Sequence, residues 1–287
     1  MVAHSRTAPF AIGAQTPEPL ARSTLVVWFV GFAGLVFAIP AIATEWLEMH
    51  HDLYYFIYGS LVVLYLTVFV NLVGTNWLRD MFKRNLGWSL ALGVLVAAAS
   101  VNNVLSDTST PHPDGTYFAF ELVWRGLFYG LIDALALFVF PALVAYLLMN
   151  GNRQGIGRKV AFGALTLALT LTVTATYHLG YPQFRNSDLA NPETGALMMS
   201  VPAVITGNPA GALIAHSAVH VTAVAHEYGG HDPGFLPPKL DGYRDRWGGT
   251  TAWLLAALWA VIIATAIWIS RRWLFRHTRP TDDRSNA

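Results

Sequence analysis

Apolar residues run along this chain in blocks about twenty long, separated by short polar stretches. A helix needs about 20 apolar residues to cross the hydrocarbon core of a bilayer. Residues 24–44, 53–74, 86–104, 122–149 and 159–178 meet that length, and a sixth block covers 249–270. Trp28, Trp46, Trp77, Trp88, Trp124, Trp247 and Trp253 fall near the predicted ends, where interfacial aromatics gather. The pattern predicts an all-α fold, a polytopic transmembrane helical bundle.

Residues 195–226 do not fit the simple count. The stretch 195–206 is apolar but short for a span, Gly207-Asn208-Pro209 interrupts it, and helical periodicity resumes at Ala210. Asn208 is placed to cap the second piece, with Pro209 at its first helical position. The positive-inside rule arbitrates the topology. With no net crossing at 195–226, thirteen Lys/Arg of the tails and loops share one side and four (Arg185, Lys239, Arg244, Arg246) face the other. The expected arrangement is six full spans plus a broken, membrane-dipping hairpin. Two close crossings (7–8 helices in all) keep the same sidedness. Residues 1–22 read as a flexible cytoplasmic tail, 23–274 as the transmembrane domain, and 275–287 as a basic cytoplasmic tail. The expected location is the cell membrane, multi-pass, with both termini cytoplasmic.

Composition strengthens this picture. The chain of 287 residues is 54% hydrophobic and 12% charged, against roughly 25% charged in soluble domains. A net charge of +1 offers no field for nucleic acid. The absence of cysteine excludes disulfides, thiolate metal sites and cysteine nucleophiles. The expected partners are the lipid bilayer and a hydrophobic peptide or lipid substrate.

The chemistry concentrates in 206–231, TGNPAGALIAHSAVHVTAVAHEYGGH, which holds four of the ten histidines. His216 and His220, four apart, share a helix face, and Glu227 returns to within about 20° of His216 at 100° per residue. Imidazoles so spaced can share one metal ion with a carboxylate or third imidazole. The soluble zincin pattern is absent, because Ser217 stands where a Glu would follow the first His. His226 points elsewhere and, with His231, belongs to the exit loop. A pair of helix-facing histidines bonded to carbonyls is the plainer reading of the same residues.

Three further positions join them. Glu121 and Arg125 open the fourth span at i, i+4 and can pair, either as a structural ion pair or as a general base held by an arginine. His178 ends the fifth span on the same side. Asp133 lies near mid-bilayer, roughly 18 Å from Glu121 by helical rise. It reads as a helix–helix hydrogen-bond anchor, with Asn71, Asn102 and Asn103 as partners. The EWLEMHHD run (Glu45, Glu48, His50, His51, Asp52) reads as a solvated loop, with an accessory cation site as the alternative.

The order of these features resembles the CAAX protease and bacteriocin-processing (CPBP) intramembrane endopeptidases. Glu121 with Arg125-Gly126 resembles that family's first motif, His178 its second, and His216 with His220 its third. Phe120, Thr174 and His220 stand where the family has other residues. The resemblance implies that Glu121 activates water, assisted by His178 and His216.

The leading expectation is therefore a membrane-embedded hydrolase acting on a peptide or lipid amide or ester at an outer-leaflet site. Its catalytic set is Glu121, His178, His216 and His220, and its metal ligands are His178, His216, His220 and Glu227, with zinc as the metal. A haem- or copper-binding redox protein is one alternative. A non-enzymatic transporter or metal-binding membrane subunit is another.

Overall fold

The computed structural model describes residues 20–47, 49, 51–111, 115–185 and 189–226, together with 257, 258, 261, 264, 265 and 268. Glu48, His50, Glu227, His231, nearly all of 249–270 and most of both tails lie outside the described residues.

Every regular element among the described residues is helical. Among the described residues, five helices are long and apolar enough to span a membrane: α1 (Arg22–Trp46), α2 (His51–Val73), α4 (Leu86–Ser106), α5 (Gly115–Leu148) and α6 (Ile156–Leu179). The short amphipathic α3 (Thr75–Lys83) joins α2 to α4 and buries Met81 while Arg79, Asp80 and Lys83 stay exposed. A helical hairpin, α7 (Ala190–Thr206) and α8 (Ala210–His226), completes the described bundle. Outward faces carry Val26, Val30, Leu64, Val68, Val94 and Leu95, the apolar surface a bilayer requires. The five predicted spans are present, each within a few residues of its expected ends except the fourth.

That fourth helix is the centre of the molecule. In α5, 83% of the apolar window is buried, against 22–39% in the other four. It begins at Gly115, seven residues before the expected start, because the aromatic run GTYFAFE continues the helix. Glu121 and Arg125 consequently lie inside the helix rather than at its opening. Two wide π turns, Leu122–Phe128 and Leu135–Val139, interrupt its α geometry. Such turns insert an extra residue and reset the facing direction of whatever follows.

Small residues set how closely the helices approach. A Cβ on Gly93 of α4 would fall 2.4 Å from the Gly211 carbonyl oxygen of α8. Ser89 Oγ donates to the Asn208 carbonyl at 2.6 Å and accepts the Gly211 N–H at 2.9 Å. Across the other face of α8, a Cβ on Gly126 would sit 3.0 Å from Val221 Cα, and one on Gly130 would sit 2.9 Å from His220 Cβ. Gly126 and Gly130 form a Gly-x-x-x-Gly step, which allows membrane helices to pack backbone to backbone.

The hairpin runs alongside α4 from one end to the other. α7 starts at Ala190 and each arm has 17 residues, about 25 Å of helix. Its tip bonds to loops at the far end: Asn208 Nδ2 donates to the carbonyls of Phe82 and Arg84, both at 2.7 Å, and Asn85 Nδ2 donates to the Thr206 carbonyl at 2.9 Å. Asn208 Oδ1 accepts the Ala210 N–H at 2.9 Å, the expected cap. Arg153 closes over the turn, donating to the Thr206 carbonyl at 3.3 Å and lying 4.2 Å from the Phe162 ring centre. Burial and the neighbouring Arg84 push the Arg153 guanidinium pKa down. Gly207 turns at φ 73°, and a Cβ there would meet Arg153 Nη1 at 1.1 Å.

Candidate functional site

Asp133 is the residue around which the polar groups gather. The α segment between the two π turns carries it on the same side as Gly126 and Gly130, so the tight α5–α8 contact brings it against His216 and His220. Asp133 Oδ2 lies 3.2 Å from His216 Nε2 and 3.9 Å from His220 Nε2, and the two imidazole nitrogens are 3.1 Å apart. Tyr58 of α2 donates to the other carboxylate oxygen at 2.7 Å. The side chains of Asp133, His216 and His220 are only 4%, 12% and 7% exposed. The expected hydrogen-bond anchor is present, with Tyr58 and His216 as its partners. Depth is the larger difference: the histidine pair lies beside the middle of α5, not at the outer face.

Aromatic rings fix the imidazoles. Tyr129 meets His220 edge-on at 5.2 Å between ring centres, and Phe138 meets His216 at 5.3 Å. The phenols of Tyr129, Tyr177, Tyr181 and Tyr54 form a continuous hydrogen-bonded chain, with Tyr177 and Tyr181 at 2.7 Å. Burial raises the Tyr181 pKa well above its ordinary value, so this phenol stays a neutral donor.

A cavity of about 810 Å³ adjoins the cluster. Asp133, His216, His220, His178, Tyr129, Tyr177 and Tyr181 line its polar wall, while Leu137, Phe138, Met198 and Met199 line its apolar side. Asn103, Asp107, Thr108, Gln183 and Asn191, at the ends of α4 and α6 and the start of α7, are also among its lining residues. His178 Nδ1 donates to the Thr174 carbonyl at 2.8 Å, so that in the neutral ring Nε2 is the acceptor nitrogen.

Of the residues singled out from the sequence, His178, His216 and His220 come together at this cavity. Glu121 does not line it: it pairs with Arg125 at 2.9 Å, both fully buried against α8. His226 Nε2 meets the Asp107 carbonyl at 2.9 Å, away from the cluster. In the EWLEMHHD run, Glu45 pairs with Arg185 at 2.9 Å and Asp52 is buried near the Tyr117 hydroxyl. The carboxylate beside the histidines is Asp133, and the sequence signal for it was the Gly126/Gly130 step one turn earlier on the same face.

Three facing ligand atoms make a testable metal geometry. Sides of 3.1, 3.2 and 3.9 Å define a triangle whose circumscribed circle has a radius of about 2.0 Å, the length of Zn–N and Zn–O bonds. Without a cation, a single proton on His216 Nε2, shared between Asp133 and His220, satisfies the same atoms. No family model, no curated protein and no solved structure matches this chain.

Proposed function

We propose that the protein is a membrane-embedded metal-dependent hydrolase in which Asp133, His216 and His220 hold one divalent ion, zinc fitting best. The observation that carries this reading is the coincidence of three donor atoms at zinc-bonding radius with a cavity that opens beside them. Two histidines and one carboxylate leave positions for water and substrate, the arrangement of catalytic rather than structural zinc. A bound metal lowers the pKa of its water toward 7 and polarises a carbonyl. His178, with its free Nε2, serves as the proton acceptor, and Tyr129 is the neutral donor for the developing oxyanion. The apolar wall of Leu137, Met198 and Met199 selects a substrate with a hydrocarbon portion, and the volume suits a compact amphiphilic amide or ester of a peptide or lipid. A redox role is the second reading, because a two-histidine, one-carboxylate set also accommodates ferrous iron.

Elemental analysis of purified protein tests the proposal. One zinc per chain is expected in the wild type and less than a tenth of that in Asp133→Asn and His216→Ala. Equal metal content in all three, in folded protein of unchanged helicity, eliminates the metal centre. One iron per chain in place of zinc redirects the chemistry to the redox reading.

A further inference from the structure

Below the cavity, α6 carries a second polar feature that the metal site does not use. Thr166, Thr170 and Thr174 repeat every four residues, each is 1% exposed, and none of their hydroxyls has a hydrogen-bond partner. Many hydroxyls elsewhere in these helices behave differently. Thr172 and Thr176 on the exposed face of the same helix bond back to the carbonyls of Ala168 and Thr172. Thr194, Ser200, Thr206 and Thr222 also bond to the carbonyl four residues earlier. The hydroxyls of Ser60 of α2 and Ser217 of α8 are also buried without a partner, but as single positions, whereas the three threonines stand in one row.

A buried hydroxyl without a partner calls for an unseen water or ion, and polar cavities hold water where apolar ones stay dry. The spacing fits water. Residues four apart on a helix rise about 6 Å, and a pair of waters linked by hydrogen bonds of about 2.8 Å bridges that interval. Thr174 itself lines the cavity, so the stripe meets the site at its upper end.

We propose that Thr166, Thr170 and Thr174 hold a file of buried waters that continues the cavity beneath the Asp133–His216–His220 cluster and supplies water to it while substrate fills the mouth. The supply role rests on the hydrolase reading; the file itself does not. Each hydrolysis consumes one water, whose oxygen bonds to the acyl carbon as the bond to the leaving group breaks and that group takes a proton. An apolar substrate seated among Leu137, Met198 and Met199 shuts out bulk water from above, and the file replaces it from below.

X-ray hydroxyl-radical labelling of the full-length protein in nanodiscs tests this, because buried side chains are labelled only where water lies beside them. The buried residues Phe162, Thr166, Thr170, Val173 and Thr174 are expected to label at least fivefold faster than the equally buried, hydroxyl-free residues 140–145. The label is expected to carry ¹⁸O after dilution into ¹⁸O-water, since the file exchanges through the cavity. Thr170→Val removes one hydroxyl at nearly constant volume and is expected to cut the labelling at least fivefold, while Thr176→Val leaves it unchanged. Labelling of these five buried residues no faster than 140–145, or unaffected by Thr170→Val, overturns the proposal. Zinc content measured on the same samples separates the two readings: a labelled file in a zinc-free protein leaves the waters standing and removes their hydrolytic role.

Discussion

Gly130→Ala adds a single methyl group at the point where α5 touches the face of α8 that carries His216 and His220. The new Cβ would lie 2.9 Å from His220 Cβ and 3.1 Å from Ser217 Cα. Ordinary contact begins near 3.4 Å, so the helices must part by about 0.5 Å or more. Overpacking of this kind costs about 1–3 kcal/mol. Replacing a helical glycine by alanine returns up to about 1 kcal/mol of propensity, so the packing term wins. The site suffers more than the fold. Functional groups need to be held within about 0.5 Å, and the displacement falls on His220, whose ring nitrogen is one corner of the triangle. A strain of about 1.4 kcal/mol on the bound state weakens zinc tenfold. The assay is competition with a chromophoric chelator beside a thermal melt, with Gly34→Ala as control, since a Cβ on Gly34 meets nothing within 4 Å. Gly130→Ala is expected to bind zinc about tenfold more weakly and to melt lower, while Gly34→Ala matches the wild type in affinity and melts no lower. Zinc affinity within twofold of wild type in Gly130→Ala refutes the claim that this contact sets the site.

Tyr58→Phe removes the donor that orients Asp133; zinc affinity measured by the same competition should fall about 10–100-fold, the usual cost of losing a group that orients a ligand, with helicity retained. Gly207→Ala places a side chain at φ 73° and against Arg153, and the backbone strain alone costs about 1–2 kcal/mol. Its melting temperature should drop by at least about 3 °C, and an unchanged melt would show that Arg153 does not clasp the turn.

The apolar blocks were legible because crossing a bilayer imposes length and composition together, and α1, α2, α4 and α6 followed directly. The three histidines were legible too, since imidazoles are costly in apolar helices and their spacing reports a shared face. The carboxylate was not. Periodicity compares residues on one helix, so it nominated Glu227, eleven residues beyond His216 and outside the described residues, and it could not nominate Asp133, which reaches the histidines from α5. That meeting depends on Gly126 and Gly130 and on π turns, whose extra residue leaves no mark in a hydropathy pattern. The start of the hairpin was placed five residues late for a related reason: residues 190–194, ANPET, look like loop, yet they form the first turns of α7. Its tip is held by side-chain bonds from Asn208 to distant carbonyls, which no local pattern encodes.

The two π turns give α5 a property that a regular helix lacks. They divide 34 residues into pieces whose azimuths are set independently: one aims the Glu121–Arg125 pair at α8, the next aims Asp133 between Tyr58 and His216, and the last buries itself among α1, α3 and α6. Loss of one residue within Leu122–Phe128 would therefore act as a rotation. The helix would remain intact and the flanking pieces would turn by about 100° relative to each other. Chain length in this short window is thus a steering variable, and the facing of the carboxylate hangs on it as firmly as on the identity of Asp133.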